Sequence, residues 1–216
     1  MTSPNTASRC DITGLVLAGG RGTRMGGVEK GLQLFNGVPL ALNALQRLQP
    51  QVGPVAINAN RDVLSYEFFG APVWPDALAG HALYGQKAYA GPLAGMLAGL
   101  AHCATPWLMA VPCDTPLFPE DLVVRMAQAA ASEGADIAVA SAPDEQGQQR
   151  PQPVFCLMKK SLAQSLAAFI EGGGSKVGAW VGQHHAVTVT FGPPRDDARA
   201  FFNANTAEEL KALEAT

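Results

Sequence analysis

Short apolar runs alternate with amphipathic segments through the first two thirds of the chain. The first run, residues 12–17, ends directly in Ala18-Gly19-Gly20, and a continuous apolar run that ends in glycine is typical of a strand buried on both faces. Between the runs, apolar residues recur at helical spacing, as at Leu93, Met96 and Leu97. This alternation predicts an α/β fold with a mainly parallel sheet. The predicted strands cover residues 12–17, 52–58, 107–111 and 136–140, and the predicted helices cover residues 40–48, 92–102 and 119–133.

The pattern changes after Ala140. Residues 141–152 are polar and contain glycine, which predicts a loop. Further on, Thr206 and Glu209 stand at the spacing of a capping box, in which each side chain bonds the backbone N–H of the other residue, so a last helix is predicted to begin there. The other elements predicted in this part are a strand at 153–158, a helix at 160–171 and a strand at 186–191.

Length and composition restrict the class of protein. The chain has 216 residues, of which 48% are hydrophobic and 15% charged, and its formal net charge is −3. These values predict a single folded domain at residues 11–216, and the polar residues 1–10 are expected to form a disordered leader. No basic cluster points to a nucleic-acid partner, and no apolar run reaches the roughly 18 residues of a membrane span. The N-terminus has no apolar stretch of signal-peptide length, and the four cysteines form no CxxC pair, so we expect a cytoplasmic protein with reduced thiols.

The loop after the first predicted strand is the strongest chemical signal. Residues 19–30 contain five glycines, the arginines Arg21 and Arg24, and Lys30. In an open α/β sheet, ligands bind at the carboxyl ends of the strands. Glycines let backbone N–H groups approach a phosphate, and the cations neutralise its charge. The loop is therefore predicted to bind a nucleoside triphosphate, the alternative being a surface loop without a ligand.

Two commoner phosphate-binding motifs do not fit this loop. A Walker A loop requires Ser or Thr after its lysine, but Lys30 is followed by Gly31. A dinucleotide-binding fingerprint requires a third glycine where this chain has Met25. The loop therefore belongs to a different class of nucleotide site.

Asp114 follows the apolar strand predicted at 107–111. A carboxylate at such a strand end points into the ligand crevice, and Mg²⁺ in phosphate sites typically takes one or two carboxylates together with phosphates and waters. Asp114 is therefore the predicted Mg²⁺ ligand, the alternative being a capping role at the turn into the next helix. Lys30 is predicted to stabilise charge that develops on the triphosphate in the transition state, and Arg24 to add to it.

The glycine loop is similar to the signature of the molybdenum cofactor guanylyltransferase (MobA) family of nucleotidyltransferases, and the similarity extends over about residues 12–214. It implies a three-layer Rossmann-like fold of the nucleotide-diphospho-sugar transferase type. It also implies a reaction of GTP with molybdenum-molybdopterin that yields the guanine dinucleotide cofactor and pyrophosphate. Five segments match in the family's order, namely residues 17–32, Asn58-Ala59-Asn60-Arg61, 91–96, 112–116 and Phe202-Asn203-Ala204-Asn205-Thr206.

The resemblance also implies roles for individual residues. Residues 11–140 are expected to form the nucleotide-binding half and residues 141–216 the second-substrate half. Gly20, directly after Gly19, favours GTP, since relatives that use CTP tend to have alanine before this glycine. The GTP-binding residues implied are Leu17, Ala18, Gly19, Gly20, Lys30, Asn58, Asp76 and Asp114, and those implied for molybdopterin are Arg150, Asn203 and Asn205.

Other interpretations remain open at the level of the sequence. Asp76 alternatively only forms the turn after Pro75, and Asn203 and Asn205 alternatively only order the turn before the last helix. Residues 77–90 are longer than the usual link in the family, and a mobile flap over the nucleotide is one interpretation. Glu29 stands where the family commonly has Asp, with the same charge.

Three alternative functions also remain open. Two are enzymatic, a CTP-dependent transferase acting on the same cofactor and a sugar-phosphate nucleotidyltransferase. The third is a non-catalytic protein that delivers the cofactor. Transient contact with molybdopterin-carrying proteins and acceptor molybdoenzymes is a further expectation.

Overall fold

A central sheet of seven strands forms the core of the structure, which is a computed structural model that describes residues 6–19, 29–76, 91–144 and 146–214. A two-stranded hairpin and helices complete it. The strands are β1 (Ile12–Leu17), β2 (Leu34–Phe35), β3 (Val38–Pro39), β4 (Val55–Asn58), β5 (Val73–Trp74), β6 (Trp107–Pro112), β7 (Ile137–Pro143), β8 (Gln149–Lys159) and β9 (Ala186–Thr190). The helices are α1 (Leu40–Leu48), α2 (Val63–Glu67), α3 (Pro92–His102), α4 (Leu122–Glu133), α5 (Ala163–Glu171), α6 (Val177–Val181) and α7 (Ala207–Glu214).

The strand order of the large sheet is β5-β4-β1-β6-β8-β7-β9. Strand β1 pairs in parallel with β4 on one side and with β6 on the other. Of the described strands in this sheet, β8 alone runs antiparallel to its neighbours. The chain first extends the sheet from β1 towards β5 and then crosses back to β6. A reversal of this kind opens a crevice at the carboxyl ends of the central strands, where ligands bind in open α/β sheets.

Helices cover both faces of the sheet, so the fold has three layers. One core cluster joins Leu45 of α1 and Met126 of α4 to Val16 of β1. The other joins Met96 of α3 and Leu166 of α5 to the opposite face. The predicted three-layer α/β class is confirmed, because residues of β1 alternate between the two clusters as expected for a central strand.

The sequence-based prediction is wrong in two places after β6. Residues 141–152 were predicted as a loop, but β7 extends to Pro143 and β8 begins at Gln149, with Ser141 paired to Pro151. Backbone pairing needs no apolar side chains. Because the β8 residues 149–151 are exposed, the sequence has no apolar pattern there that indicates a strand. The helix predicted from residue 119 begins at Leu122, because a turn comes first, in which the N–H of Leu122 bonds the carbonyl of Pro119.

The two ends of the described chain are held by hydrogen bonds. The N–H of Glu209 bonds Thr206 Oγ1 at 3.1 Å and the N–H of Thr206 bonds Glu209 Oε2 at 3.2 Å, which confirms the capping box. At the other end, Arg9 Nε donates to the carbonyl of Val52 at 2.7 Å, and residues 9–11 form a 3-10 turn. No described helix has both the length and the apolar content that crossing a membrane requires.

Candidate active site

A cavity of about 260 Å³ lies at the carboxyl ends of the central strands. Leu17 ends β1, Asn58 ends β4 and Asp114 follows β6, and all three line it. The antiparallel strand β8 contributes residues 152–155. The crossover at β1 therefore gathers the ends of three neighbouring strands around one space, as the fold predicts.

Lys30 and Asp114 form the charged centre of this cavity. Lys30 Nζ lies 2.6 Å from Asp114 Oδ2 and 2.8 Å from Asn205 Oδ1. The Lys30 and Asp114 side chains are 17% and 21% exposed, so the ion pair is largely shielded from water and its electrostatic field is stronger than that of a surface pair. Lys30, at the end of the glycine loop, is thus held opposite the carboxylate that follows β6.

The segment before α7 is attached to the same strand end. Thr115 is fully buried, and its Oγ1 donates to Asn203 Oδ1 at 2.5 Å. The N–H of Ala204 bonds the carbonyl of Asp114 at 2.9 Å. Asn203 therefore reaches the cavity from a distant part of the chain. Sequence reasoning missed the role of Thr115, although Thr115 lies inside the matched segment 112–116.

A second polar network surrounds Asp76. Asn58 Nδ2 donates to the carbonyl of Trp74 and to Asp76 Oδ1, both at 2.9 Å. Asn60 Nδ2 donates to Asp76 Oδ2 at 2.8 Å, and Asn60 Oδ1 accepts the N–H of Asp76 at 2.8 Å. The carboxylate of Asp76 is thus held by two amide side chains from the end of β4. Sequence reasoning missed the role of Asn60, whose only signal is its position two residues after Asn58 in the matched segment 58–61.

Two glycines allow this network to form. A Cβ on Gly95 of α3 would lie 2.3 Å from Asn58 Oδ1, and a Cβ on Gly19 would lie 3.1 Å from Asn60 Nδ2. Only the first distance is a severe clash, so Gly95 is the position where a side chain is excluded. The segment 91–96, which matched the family without a chemical explanation, therefore provides space for the Asn58 amide.

A buried carboxylate precedes the active-site lysine. Glu29 is 7% exposed, and its Oε1 lies 2.7 Å from Arg61 Nε. Burial raises the pKa of the Glu29 carboxyl, and the Arg61 guanidinium opposes that rise. The pair attaches the residue before Lys30 to the loop that follows β4.

The structure assembles most, but not all, of the predicted site residues. Ala18 lies beside the cavity, where its N–H bonds the carbonyl of Asn58 at 2.9 Å. Arg150 does not line the cavity. Its Nε pairs with Asp144 Oδ2 at 2.9 Å, at the tip of the β7–β8 hairpin. Gly20, Arg24 and the inserted stretch 77–90 lie outside the described residues. The predicted residues that line the cavity are Leu17, Gly19, Lys30, Asn58, Asp76, Asp114 and Asn203.

The lining residues disfavour a cysteine nucleophile and suit a bound Mg²⁺ ion. Burial raises the pKa of the Cys113 thiol, so it stays protonated and is a poor nucleophile. Among the described residues, no three His, Cys, Asp or Glu side chains cluster as a metal site. The carboxylate of Asp114 nevertheless suits Mg²⁺, which in phosphate sites relies on one or two carboxylates and takes its other ligands from phosphates and waters.

This fold and this cavity suit a nucleotidyltransferase. The crystal structure of molybdopterin-guanine dinucleotide biosynthesis protein A from Archaeoglobus fulgidus has the same fold. The TM-score is 0.73 and the identity 21%, over 94% of this chain and 97% of that chain. The crystal structure of 4-diphosphocytidyl-2C-methyl-D-erythritolsynthase from Anaerococcus prevotii matches with a TM-score of 0.69 at 8% identity, over 96% of each chain.

The sequence comparisons are more specific. The profile of the MobA-like NTP transferase domain matches residues 14–187, and the chain belongs to this family. The molybdenum cofactor guanylyltransferase of Acidovorax ebreus is 60% identical over 209 residues, which cover 94% of this chain and 95% of that protein. The protein of the same name from Cupriavidus necator is 52% identical over 207 residues, which cover 96% of this chain and 98% of that protein.

Proposed function

We propose that this enzyme transfers GMP from GTP to molybdenum-molybdopterin, which forms the guanine dinucleotide cofactor and releases pyrophosphate. The observation that carries the proposal is the Lys30–Asp114 pair at 2.6 Å in the crevice of the sheet. It occurs in a chain 60% identical to a molybdenum cofactor guanylyltransferase. A lysine and a carboxylate at this place suit the transfer of a nucleotidyl group, which needs positioning and charge stabilisation more than covalent chemistry by the protein.

The reaction is a displacement at phosphorus. An oxygen of the terminal phosphate of the pterin attacks the α-phosphorus of GTP, the new P–O bond forms, and the bond to the β-phosphate breaks with release of pyrophosphate. Lys30 stabilises the negative charge that develops on the phosphate oxygens. Arg24, which precedes Lys30 in the glycine loop, is proposed to add to this stabilisation.

Asp114 is the proposed ligand of Mg²⁺. When bound, the ion neutralises charge on the triphosphate. Lys30 Nζ already lies 2.6 Å from Asp114 Oδ2, so the lysine holds this carboxylate in place before substrate arrives. Asn205, which accepts a second bond from Lys30, holds the lysine at the other side.

The polar network supports guanine as the base. Both amide hydrogens of Asn58 are used by Trp74 and Asp76, which leaves Asn58 Oδ1 and the Asp76 carboxylate as acceptors. Guanine places two donors side by side on its Watson–Crick edge, whereas adenine and cytosine place a donor next to an acceptor and uracil places one donor between two acceptors. A site with two acceptors therefore favours GTP over CTP, and mismatched buried polar groups discriminate strongly.

Residues of the second half are proposed to bind the pterin. Asn203 lines the cavity, and Asn205 contacts Lys30. Arg150 would take part only by leaving Asp144, with which it pairs at 2.9 Å. Transient docking to molybdopterin-carrying proteins and acceptor molybdoenzymes, in the cytoplasm, completes the proposal.

A single assay tests the proposed reaction. The purified protein is mixed with Mg²⁺, molybdenum-molybdopterin and each of the four nucleoside triphosphates, and pyrophosphate is measured. We expect release with GTP only, and omission of Mg²⁺ should abolish it. Equal turnover with CTP would overturn the guanine assignment, and tight GTP binding without pyrophosphate release would favour a delivery protein.

A further inference from the structure

Asn60 makes two bonds to Asp76 but does not itself line the cavity. It is an exposed residue just after β4. Its Nδ2 donates to Asp76 Oδ2, and its Oδ1 accepts the backbone N–H of Asp76, both at 2.8 Å. This reciprocal pair fixes the main chain and the carboxylate of Asp76 at the same time.

The position of Asp76 in turn determines how Asn58 is oriented. Asp76 Oδ1 accepts one amide hydrogen of Asn58 at 2.9 Å, and the carbonyl of Trp74 accepts the other. If the carboxylate turned away, one Nδ2 hydrogen would lose its partner and the Asn58 amide could reverse. Reversal would place a donor where the site now has the acceptor Oδ1.

The surroundings leave the Asn58 oxygen little room. Gly95 of α3 is so close that a Cβ there would lie 2.3 Å from Asn58 Oδ1, and a Cβ on Gly19 would lie 3.3 Å from the same atom. The oxygen therefore sits between two stretches of main chain, and the two acceptors of Nδ2, the Trp74 carbonyl and the Asp76 carboxylate, decide which end of the amide it occupies. Asn60 is the outermost member of this chain of contacts.

We propose that Asn60 is a positioning residue for base selection, acting through Asp76 on the pair of acceptors formed by Asp76 and Asn58. The inference rests on the proposed GTP site. It assigns to an exposed residue outside the cavity a part of the preference for guanine over the other bases.

Two variants at one position test the proposal. Asn60→Ala removes both bonds to Asp76, whereas Asn60→Asp keeps an acceptor for the Asp76 N–H but sets a carboxylate against Asp76 Oδ2. Glu67→Gln, an exposed change on the neighbouring helix α2, is the control. KM and kcat are measured for GTP, and the dissociation constants of Mg²⁺-GTP and Mg²⁺-CTP are measured by calorimetry. Melting temperatures without nucleotide report the effect on folding.

We expect Asn60→Ala to raise KM for GTP on the order of tenfold, as for the loss of a hydrogen bond to a charged group, with kcat within about twofold. Asn60→Asp should have a larger effect, because two carboxylates repel each other. In both variants the ratio of the dissociation constant for CTP to that for GTP should fall, and in Glu67→Gln it should not.

A purely structural role would lower the melting temperature and affect both nucleotides equally. An unchanged GTP-to-CTP ratio in both Asn60 variants would overturn the inference, even if the wild type prefers GTP. A wild type without a preference for GTP would instead overturn the proposed function, so the two failures are distinguishable. If Asn60→Asp fails to fold, the result with Asn60→Ala still decides.

Discussion

Lys30 Nζ and Asp114 Oδ2 lie 2.6 Å apart although 84 positions separate the two residues in the sequence. The sheet brings them together because the loop after β1 and the end of β6 belong to neighbouring parallel strands. Each side chain neutralises the other in a partly dehydrated site, so the loss of either leaves the other charge without its partner. The pair can therefore be tested from both sides.

Lys30→Ala is expected to lower kcat by on the order of 10²-fold or more, since it removes a cation placed to stabilise transition-state charge. Steady-state pyrophosphate release measures the effect. Lys159 provides a matched control, because it forms a similar pair with Asp136 at 2.7 Å but lies opposite Trp107, at the other end of β6. A loss in Lys159→Ala as large as that in Lys30→Ala would contradict the catalytic role.

Asp114→Asn is expected to abolish turnover while the fold is kept, because the amide has nearly the shape of the carboxylate but is a poor ligand for Mg²⁺. The measurements are pyrophosphate release and Mg²⁺ binding by titration calorimetry in the presence of GTP. Asp136→Asn serves as the control. Full activity of Asp114→Asn would remove this residue as the metal ligand.

Gly95→Ala should separate stability from binding. Alanine is favoured over glycine within a helix by about 1 kcal/mol, but the new Cβ would lie 2.3 Å from Asn58 Oδ1 and would displace that amide. We expect weaker GTP binding by calorimetry with little loss of melting temperature. Gly178→Ala in α6, where a Cβ meets nothing within 4 Å, should leave GTP binding unchanged, and weakening of equal size in both variants would disprove the explanation.

The pH dependence of stability should reveal Glu29. Burial raises its pKa above the ordinary value of 4.5, so between 4.5 and the folded-state pKa the folded chain binds more protons than the unfolded chain. The contribution of this group to the free energy of unfolding is therefore greatest at low pH and is lost as the pH rises through the folded-state pKa. Urea denaturation of the wild type and Glu29→Gln between about pH 4 and pH 8 measures it, since glutamine does not titrate.

Arg61→Met extends this prediction. The Arg61 guanidinium, 2.7 Å from the Glu29 carboxylate, lowers the Glu29 pKa, so its removal should move the loss of stability to higher pH. The same series of urea measurements tests the shift. A curve for Arg61→Met that matches the wild type after a constant offset would show that the pair has no electrostatic effect.

The first half of the fold could be predicted from the sequence because its buried strands are continuous apolar runs. The family and the three-layer α/β class are confirmed by the comparisons and the structure. The β7–β8 hairpin could not be predicted, since the β8 residues 149–151 are exposed and the β7 residues 141–143 with which they pair form no apolar run. Backbone hydrogen bonds leave no periodic signal in a strand segment whose side chains are exposed.

The site was predictable to the level of single residues but not of their partners. Lys30, Asp76 and Asp114 follow from local motifs, and their assigned roles remain predictions. Asn60 and Thr115 act through residues that are distant in sequence or lie on other strands. A single sequence does not contain such pairings, which only the register of the sheet and the path of the chain define.

The bond from Thr115 to Asn203 joins residues 88 positions apart, which has a consequence for the order in which the protein becomes competent during synthesis. The strands that hold Lys30 and Asp114 emerge from the ribosome long before residues 203–205. Until residues 203–205 are synthesised, Thr115 lacks its acceptor Asn203, and Lys30 lacks its second acceptor, Asn205. A nascent or prematurely terminated polypeptide would therefore carry most of the sheet and yet not consume nucleotide.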